Sequence, residues 1–153
     1  MHKMVELYCK KNLVSVPDWM RGHLAAWEQF VENTGFELAT SEDRVYNAAS
    51  GYAGTLDLAG AMLKGKKFGM AIIDIKRSFL AGPAIGIQLA AYQEAFNKTV
   101  LSADRANLRY ALKLNHDGTY RLREFDEPLD YSVFLAHLTI YKHKEKYFEH
   151  YSK

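Results

Sequence analysis

The spacing of apolar residues changes several times along the chain, and each change marks a boundary between helical and extended segments. Between Asp18 and Gly35 apolar residues recur every three or four positions, which is typical of one face of an α-helix, and Asp18 is a suitable N-terminal cap. Residues 37–49 contain the strand formers Val45 and Tyr46 in an extended pattern. The first part of the chain is therefore predicted to be a helix followed by a strand.

Two turn sequences predict two β-hairpins. The apolar runs at residues 52–63 and 68–78 flank a turn centred on Gly65 and Lys66, and this arrangement favours antiparallel pairing of the two runs. Apolar and polar residues alternate again on both sides of an Asn-His-Asp-Gly turn within residues 109–123. The chain therefore contains at least four further strand segments.

Helical spacing returns in two later segments. After Gly82 and Pro83, four apolar residues share one helical face that extends to about Lys98: Ile85, Leu89, Tyr92 and Phe96. A closing helix at residues 130–148 has Asp130 as its cap and three residues predicted to point inward: Phe134, Leu138 and Tyr141. The resulting order, α-β-β-β-α-β-β-α, predicts an α/β (α+β) fold with a central mixed β-sheet flanked by helices.

The length and composition favour one globular domain spanning residues 1–153. The chain of 153 residues is 48% hydrophobic and 25% charged, so it can bury a core, and no apolar run is long enough to cross a membrane. The single cysteine, Cys9, excludes an internal disulfide and a cysteine-rich zinc site, which favours a reducing, cytoplasmic location. The net charge of +2 neither requires nor excludes nucleic-acid binding.

The first hairpin allows its register to be predicted. If the loop is symmetric about Gly65 and Lys66, Asp57 faces Asp74, whereas a loop longer by one residue would break this pairing. The same register places Thr55 opposite Lys76 on the polar face. Four aliphatic residues are then predicted to lie together on the other face, as core: Leu56, Leu58, Ile73 and Ile75.

Two carboxylates placed directly opposite each other repel, and a divalent cation such as Mg²⁺ would relieve that repulsion. Alternatively, Asp57 and Asp74 are solvated residues of a sheet edge and Lys76 is a simple salt-bridge partner. The helix after the hairpin favours the metal site, because Gln88 and Tyr92 are four residues apart and share one helical face.

Three short motifs occur here in order: Gly54-Thr55-Leu56-Asp57, Asp74-Ile75-Lys76 and Gln88-Leu89-Ala90-Ala91-Tyr92. This series resembles the G-x-x-D, D-x-K and Q-x-x-x-Y motifs of the PD-(D/E)XK nuclease superfamily, and more narrowly its RecB-like exonuclease branch of the phage-encoded type. The resemblance covers about residues 19–134. It implies a restriction-endonuclease-like core and metal-dependent hydrolysis of DNA.

The resemblance also implies roles for individual residues. The implied metal ligands are Glu42, Asp57, Asp74 and the backbone carbonyl of Ile75. Lys76 would orient or activate the attacking water, and Asp43 is an alternative to Glu42 as the upstream acid. The predicted DNA contacts are Gln88, Tyr92, Arg77 and Thr55. The expected cofactor is Mg²⁺, with Mn²⁺ able to substitute for it. A single cysteine cannot supply the ligands of an iron–sulfur cluster, so that cofactor is excluded.

The sequence departs from the family pattern at two places. Leu56 stands where the superfamily has its proline, and the G-x-x-H-x-x-x-E helix of larger RecB-like enzymes has no clear counterpart. His23 is a candidate for that histidine, although a position on a helix surface is the favoured interpretation. Three basic residues of the second hairpin are interpreted as solvating its outer face: Lys113, Arg121 and Arg123.

The predicted function is that of an exonuclease acting in phage or prophage DNA recombination, repair or replication. Its expected partner is DNA with a free end, its expected location is the bacterial host cytoplasm, and no membrane partner is expected. A homo-oligomer, or a partner protein of recombination or replication, would complete the site. Two alternatives stay open: a structure-selective endonuclease and a catalytically silent DNA-binding module. The polarity of cleavage, the preference for one or two strands and the number of metal ions also stay open.

Overall fold

Five strands form one mixed sheet in the computed structural model, which describes the backbone of residues 1–78 and 82–151 and the side chains of residues 1–78 and 82–148. The strands are β1 (Glu37–Asn47), β2 (Tyr52–Lys64), β3 (Lys67–Ile75), β4 (Ala106–Leu114) and β5 (Tyr120–Glu124). They lie side by side in sequence order, with β3 and β4 parallel and the other pairs antiparallel. The predicted mixed sheet is thus confirmed.

Four helices accompany the sheet in the described residues: α1 (His2–Cys9), α2 (Arg21–Thr34), α3 (Pro83–Thr99) and α4 (Asp130–Tyr151). The α+β class is confirmed, but the predicted order lacked α1. This helix has only eight residues, and its two buried residues, Met4 and Val5, are adjacent in sequence. An apolar period cannot be recognised over so short a segment.

The start of α2 differs from the prediction in detail. Asp18 does not cap the helix but begins a short 3₁₀ turn, and its carboxylate lies 2.9 Å from the guanidinium of Arg21. The helix ends as predicted at Gly35, whose φ of 58° is a left-handed conformation that glycine adopts without steric cost.

Side chains pack on both faces of the sheet. On one face, Trp27, Phe30 and Phe36 form an aromatic cluster beneath α1 and α2. On the other face, α3 contributes Ile85 and Leu89 to a second apolar cluster. The sheet therefore lies between α1 and α2 on one side and α3 on the other, and α4 packs on α3.

The inward face of α4 is shorter than predicted. Phe134 and Leu138 are half-buried, whereas Tyr141 is 61% exposed, so the prediction that Tyr141 points inward was wrong. The reason is that α4 packs on α3 only through its first turns, and its residues from 139 to 148 are exposed. None of the described helices combines the length and apolar composition that a membrane crossing requires.

The predicted register of the first hairpin is confirmed for seven residue pairs, from Lys64 with Lys67 to Leu58 with Ile73. The ladder then ends, so the predicted direct pairs of Asp57 with Asp74 and of Thr55 with Lys76 do not form. The physical reason is that the Asp57 carboxylate, rather than a backbone carbonyl, accepts the next hydrogen bond from β3.

The aliphatic face of the hairpin also changes character at this point. All four predicted residues are buried, and Leu58, Ile73 and Ile75 pack beneath α1 and α2. Leu56 instead joins the cluster beneath α3, so the strict alternation of faces does not extend through Asp57. The sheet is therefore irregular at the end where β3 and β4 both finish.

Candidate metal centre

Asp57 lies where β2 and β3 stop pairing. Its Oδ2 atom accepts a hydrogen bond of 2.7 Å from the backbone amide of Ile75, and its Oδ1 atom lies 3.2 Å from Nδ1 of His2. The carboxylate is thus held from two directions, by the sheet and by α1. This double attachment orients Asp57 toward the gap that opens between β2 and β3 where their pairing ends.

Glu42 is brought to the same gap by an irregularity in β1. Its neighbours Ser41 and Asp43 pair with Leu58 and Leu56, which leaves Glu42 across from Asp57 without a regular pair. The φ of Glu42 is 51°, a left-handed conformation that residues with a Cβ atom adopt at a cost of about 1–2 kcal/mol. Strain of this kind often accompanies functional sites.

The geometry distinguishes the two candidate upstream acids. The Asp43 carboxylate is exposed and accepts a hydrogen bond of 3.2 Å from Oγ1 of Thr40 on its own strand. The Glu42 carboxylate instead lies 3.7 Å from Nδ1 of His2. Glu42, not Asp43, therefore joins Asp57.

His2 is the residue of this site that sequence patterns did not identify. The ligand atoms of His2, Glu42 and Asp57 all lie within 4.8 Å of one another. The hydrogen bond with Asp57 raises the pKa of the His2 imidazole despite the opposing effect of burial. His23, the histidine considered from sequence, lies apart from this cluster and lines another pocket.

A weak sequence signal for His2 existed. His2 and Glu6 have the H-x-x-x-E spacing for which no counterpart was recognised. Only the histidine reaches the site, however, because the Glu6 carboxylate bonds to Lys10 at 2.7 Å and Lys3 at 2.8 Å, and these two lysines lower its pKa to about 2.

The buried Asp74 and the half-buried Lys76 form an ion pair beside the cluster. Asp74 is 5% exposed, and its Oδ2 atom lies 2.7 Å from Nζ of Lys76. Burial raises the pKa of the Asp74 carboxyl, Lys76 opposes this effect, and the negative charge of Asp57 adds to it. Asp74 is therefore close enough to Asp57 to feel its charge, although it is not one of the three tightly clustered groups.

Lys76 is held in position by a chain of side-chain hydrogen bonds from α3. Its Nζ atom donates to Oε1 of Gln88 at 2.9 Å, and Nε2 of Gln88 donates to the hydroxyl of Tyr92 at 3.1 Å. The absence of a side chain at Gly54 lets the Tyr92 ring approach β2, since a Cβ atom there would lie 2.6 Å from the ring. Residues of all three motifs thus meet at one end of the sheet.

The remaining predicted site residues lie at the margin of this centre. Arg77 and Thr55 are exposed, and Thr55 pairs with Arg44 of β1. Ile75 is buried and contacts Asp57 through its backbone amide, while its predicted role as a carbonyl ligand stays a prediction.

This donor set suits a divalent cation. Two carboxylates and an imidazole within 4.8 Å provide oxygen ligands for Mg²⁺ and Mn²⁺ and a nitrogen ligand that transition metals accept. The hydrogen bond from the backbone amide of Ile75 orients Asp57, in the way that hydrogen bonds to metal ligands orient them in known metal sites. Comparisons of the chain with models of known protein families and with curated proteins found no match.

The left-handed conformation of Glu42 predicts an unusual order of stability for two variants. Glu42→Gly should be more stable than Glu42→Ala by about 1 kcal/mol, because glycine adopts a positive φ without the steric cost that a Cβ atom brings. Chemical denaturation of both variants without metal measures this difference. Equal stabilities, or a more stable alanine variant, would show that the backbone at Glu42 is not strained.

The raised pKa of His2 predicts a pH-dependent contribution to stability. The protonated imidazole favours the folded state, so its contribution is fully present below its ordinary pKa of 6.5 and is lost as the pH rises through the raised pKa. Without metal, wild type should therefore exceed His2→Gln in melting temperature at acidic pH, with a gap that closes at alkaline pH. A gap independent of pH would contradict the contact with Asp57.

Proposed function

We propose that this protein is a metal-dependent deoxyribonuclease with a restriction-endonuclease-like core that hydrolyses phosphodiester bonds. The observation that carries the proposal is the meeting of two acids and a histidine, within 4.8 Å, beside a lysine that α3 holds in place. The order of motifs along the chain, and its resemblance to RecB-like exonucleases, supports the same interpretation.

His2, Glu42 and Asp57 are the residues that would hold the ion, with Asp74 beside them. When bound, a divalent ion neutralises charge on a phosphate and lowers the pKa of a water molecule. Because an imidazole is a softer ligand than Mg²⁺ prefers, we expect Mn²⁺ to bind more tightly than Mg²⁺.

Lys76 would act on the phosphate and the attacking water through its charge. Its ammonium group is half-buried, and the ion pair with Asp74 at 2.7 Å fixes its position beside the acids. A fixed positive charge stabilises the negative charge that develops on the phosphate in the transition state. Electrostatic stabilisation, rather than proton abstraction, is thus the main role proposed for Lys76.

Gln88 and Tyr92 have complementary roles in this proposal. Both ends of the Gln88 amide are engaged, so Gln88 positions Lys76 and Tyr92. The Tyr92 hydroxyl accepts the Gln88 bond and keeps its own proton for donation. Burial raises its pKa, so this proton is retained at neutral pH and is suited to contact a DNA phosphate.

The test is incubation of the purified protein with linear and closed-circular DNA in Mg²⁺, in Mn²⁺ and in EDTA. We expect metal-dependent loss of linear DNA, with circular DNA left intact, as for an exonuclease. Nicking of the circles would instead indicate an endonuclease on the same site. Intact DNA under all conditions would contradict the proposed activity and leave a silent DNA-binding module.

Two neighbouring acids provide a matched pair of variants for this assay. Glu42→Gln should abolish cleavage, because it removes a carboxylate from the cluster, whereas Asp43→Asn should retain it, because that side chain bonds to Thr40 instead. The two changes remove the same charge from adjacent positions. The reverse pattern would place the site around Asp43 and contradict the geometry.

Lys76→Ala should lower turnover about 10²–10³-fold, the usual effect of removing a preorganised group that stabilises transition-state charge. DNA affinity should change little, because the lysine acts mainly in the transition state. Single-turnover cleavage and DNA binding measure the two effects separately. The control is Lys66→Ala, which removes an equal charge at the exposed turn between β2 and β3. Equal turnover in the two variants would refute the role of Lys76.

A further inference from the structure

A second pocket of about 500 Å³ lies next to the metal centre and is lined mainly by basic side chains. Three of its residues carry permanent positive charges: Arg77, Lys113 and Arg121. It adjoins the centre through two chain segments, since Met1 lines the pocket and His2 belongs to the cluster, and Arg77 directly follows Lys76. The pocket and the candidate metal centre therefore use adjacent residues of the chain at two places.

The strand pairing places two of these cations against each other. Lys113 of β4 and Arg121 of β5 are directly opposed in the register, and like charges in that position destabilise a sheet. Neither they nor Arg77 has a carboxylate within ion-pair distance among the described side chains. Lys113 is also half-buried, which makes an uncompensated charge more costly.

Other groups around the pocket do not neutralise it. Asp117 is its one acidic lining residue in the described part of the chain, and its Oδ1 atom already accepts two hydrogen bonds from Thr119, at 2.7 and 3.0 Å. His23 lines the pocket with its Nδ1 atom buried and without a hydrogen-bond partner among the described residues. The pocket thus presents cations and an unused imidazole nitrogen, which is the chemistry of an anion site.

The wall of the pocket is built by close packing. Gly22, at the start of α2, lies so near the backbone carbonyl of His116 that any side chain there would overlap it. The backbone amide of Lys76 donates to the Leu112 carbonyl at 2.8 Å, which places Lys113 beside Lys76 across the two parallel strands. The backbone positions of Lys76 and Lys113 are therefore fixed relative to each other.

We propose that this basic pocket binds a second phosphate of the DNA strand, next to the phosphate that is cleaved at the metal centre. The inference rests on the proposed nuclease function and assigns the substrate a second anchoring point. It also revises the interpretation of Lys113 and Arg121 as residues that only solvate the outer face of the hairpin. The bound group is either a terminal phosphate monoester or an internal phosphodiester, which share the same anionic oxygens.

The test is fluorescence-anisotropy binding of short single-stranded oligonucleotides in EDTA, so that cleavage does not contribute. The strands carry a 5′-phosphate, a 3′-phosphate or only hydroxyl ends, and the salt concentration is varied. The main variant is Lys113→Gln/Arg121→Gln, which should stay folded because it removes a repulsive pair, and its melting temperature checks this. Arg77→Gln is an independent second variant, and Lys66→Gln, at the opposite end of the sheet, is the matched control.

We expect weaker binding by both pocket variants, with the slope of log affinity against log salt reduced by about 0.7 for each phosphate that the variant no longer neutralises. Weakening confined to strands with one kind of phosphorylated end would identify a terminal phosphate. Equal weakening for all strands would identify an internal phosphate. Either result supports the pocket.

Affinities and salt slopes equal to those of the Lys66→Gln control would overturn the inference. This failure is distinguishable from failure of the proposed function. If the protein cleaves DNA while the pocket variants bind normally, the nuclease proposal stands and the pocket proposal falls. If the protein cleaves nothing in Mg²⁺ or Mn²⁺ while the pocket variants bind more weakly, the pocket proposal stands and the nuclease proposal falls.

Discussion

The hydrogen bond between the Asp57 carboxylate and the Ile75 amide is the contact on which the site depends. It replaces the next backbone bond of the β2–β3 ladder, so the strands part where both carry acidic residues. A regular ladder would have placed Asp57 directly against Asp74. Instead, one carboxylate turns toward His2 and the other toward Lys76, and a gap opens between strands that the rest of the sheet holds in place.

This arrangement concentrates negative charge, which lowers the stability of the folded protein, and the fold offsets that loss only in part. The raised pKa of Asp74 reflects its burial and the nearby charge of Asp57. Glu42 adds a strained backbone conformation. Lys76, which α3 holds in position, provides compensating positive charge, and His2 of α1 adds to it when its imidazole is protonated. Such local cost is common where residues are arranged for binding or catalysis rather than for stability.

Much of the fold could be predicted because local patterns determine it. The turn at Gly65 and Lys66 sets the register of the first hairpin, and the helical spacing from Ile85 onward places Gln88 and Tyr92 on one face. The parting of the strands at Asp57 could not be predicted, since it depends on a side chain competing with the backbone for one amide.

Contacts between distant segments could not be predicted from sequence patterns either. His2 reaches the acids only because the short helix α1 packs on the sheet through Met4 and Val5. In the same way, Lys113 and Arg121 are typical solvent-facing residues in sequence, and only the position of α2 and of Arg77 places them around one pocket. Residues whose surroundings come from other layers of the fold are those for which sequence spacing is least informative.

Titration of the metal-free protein with Mn²⁺, with the free ion followed by electron paramagnetic resonance, tests the central claim most directly. We predict that wild type binds Mn²⁺ and that Asp57→Asn binds it at least about tenfold more weakly, as happens in metal sites when a ligand or its orienting group is removed. Asp43→Asn should bind Mn²⁺ as wild type does. A wild-type protein that binds no Mn²⁺, or an Asp57→Asn variant with unchanged affinity, would contradict a metal centre at this gap.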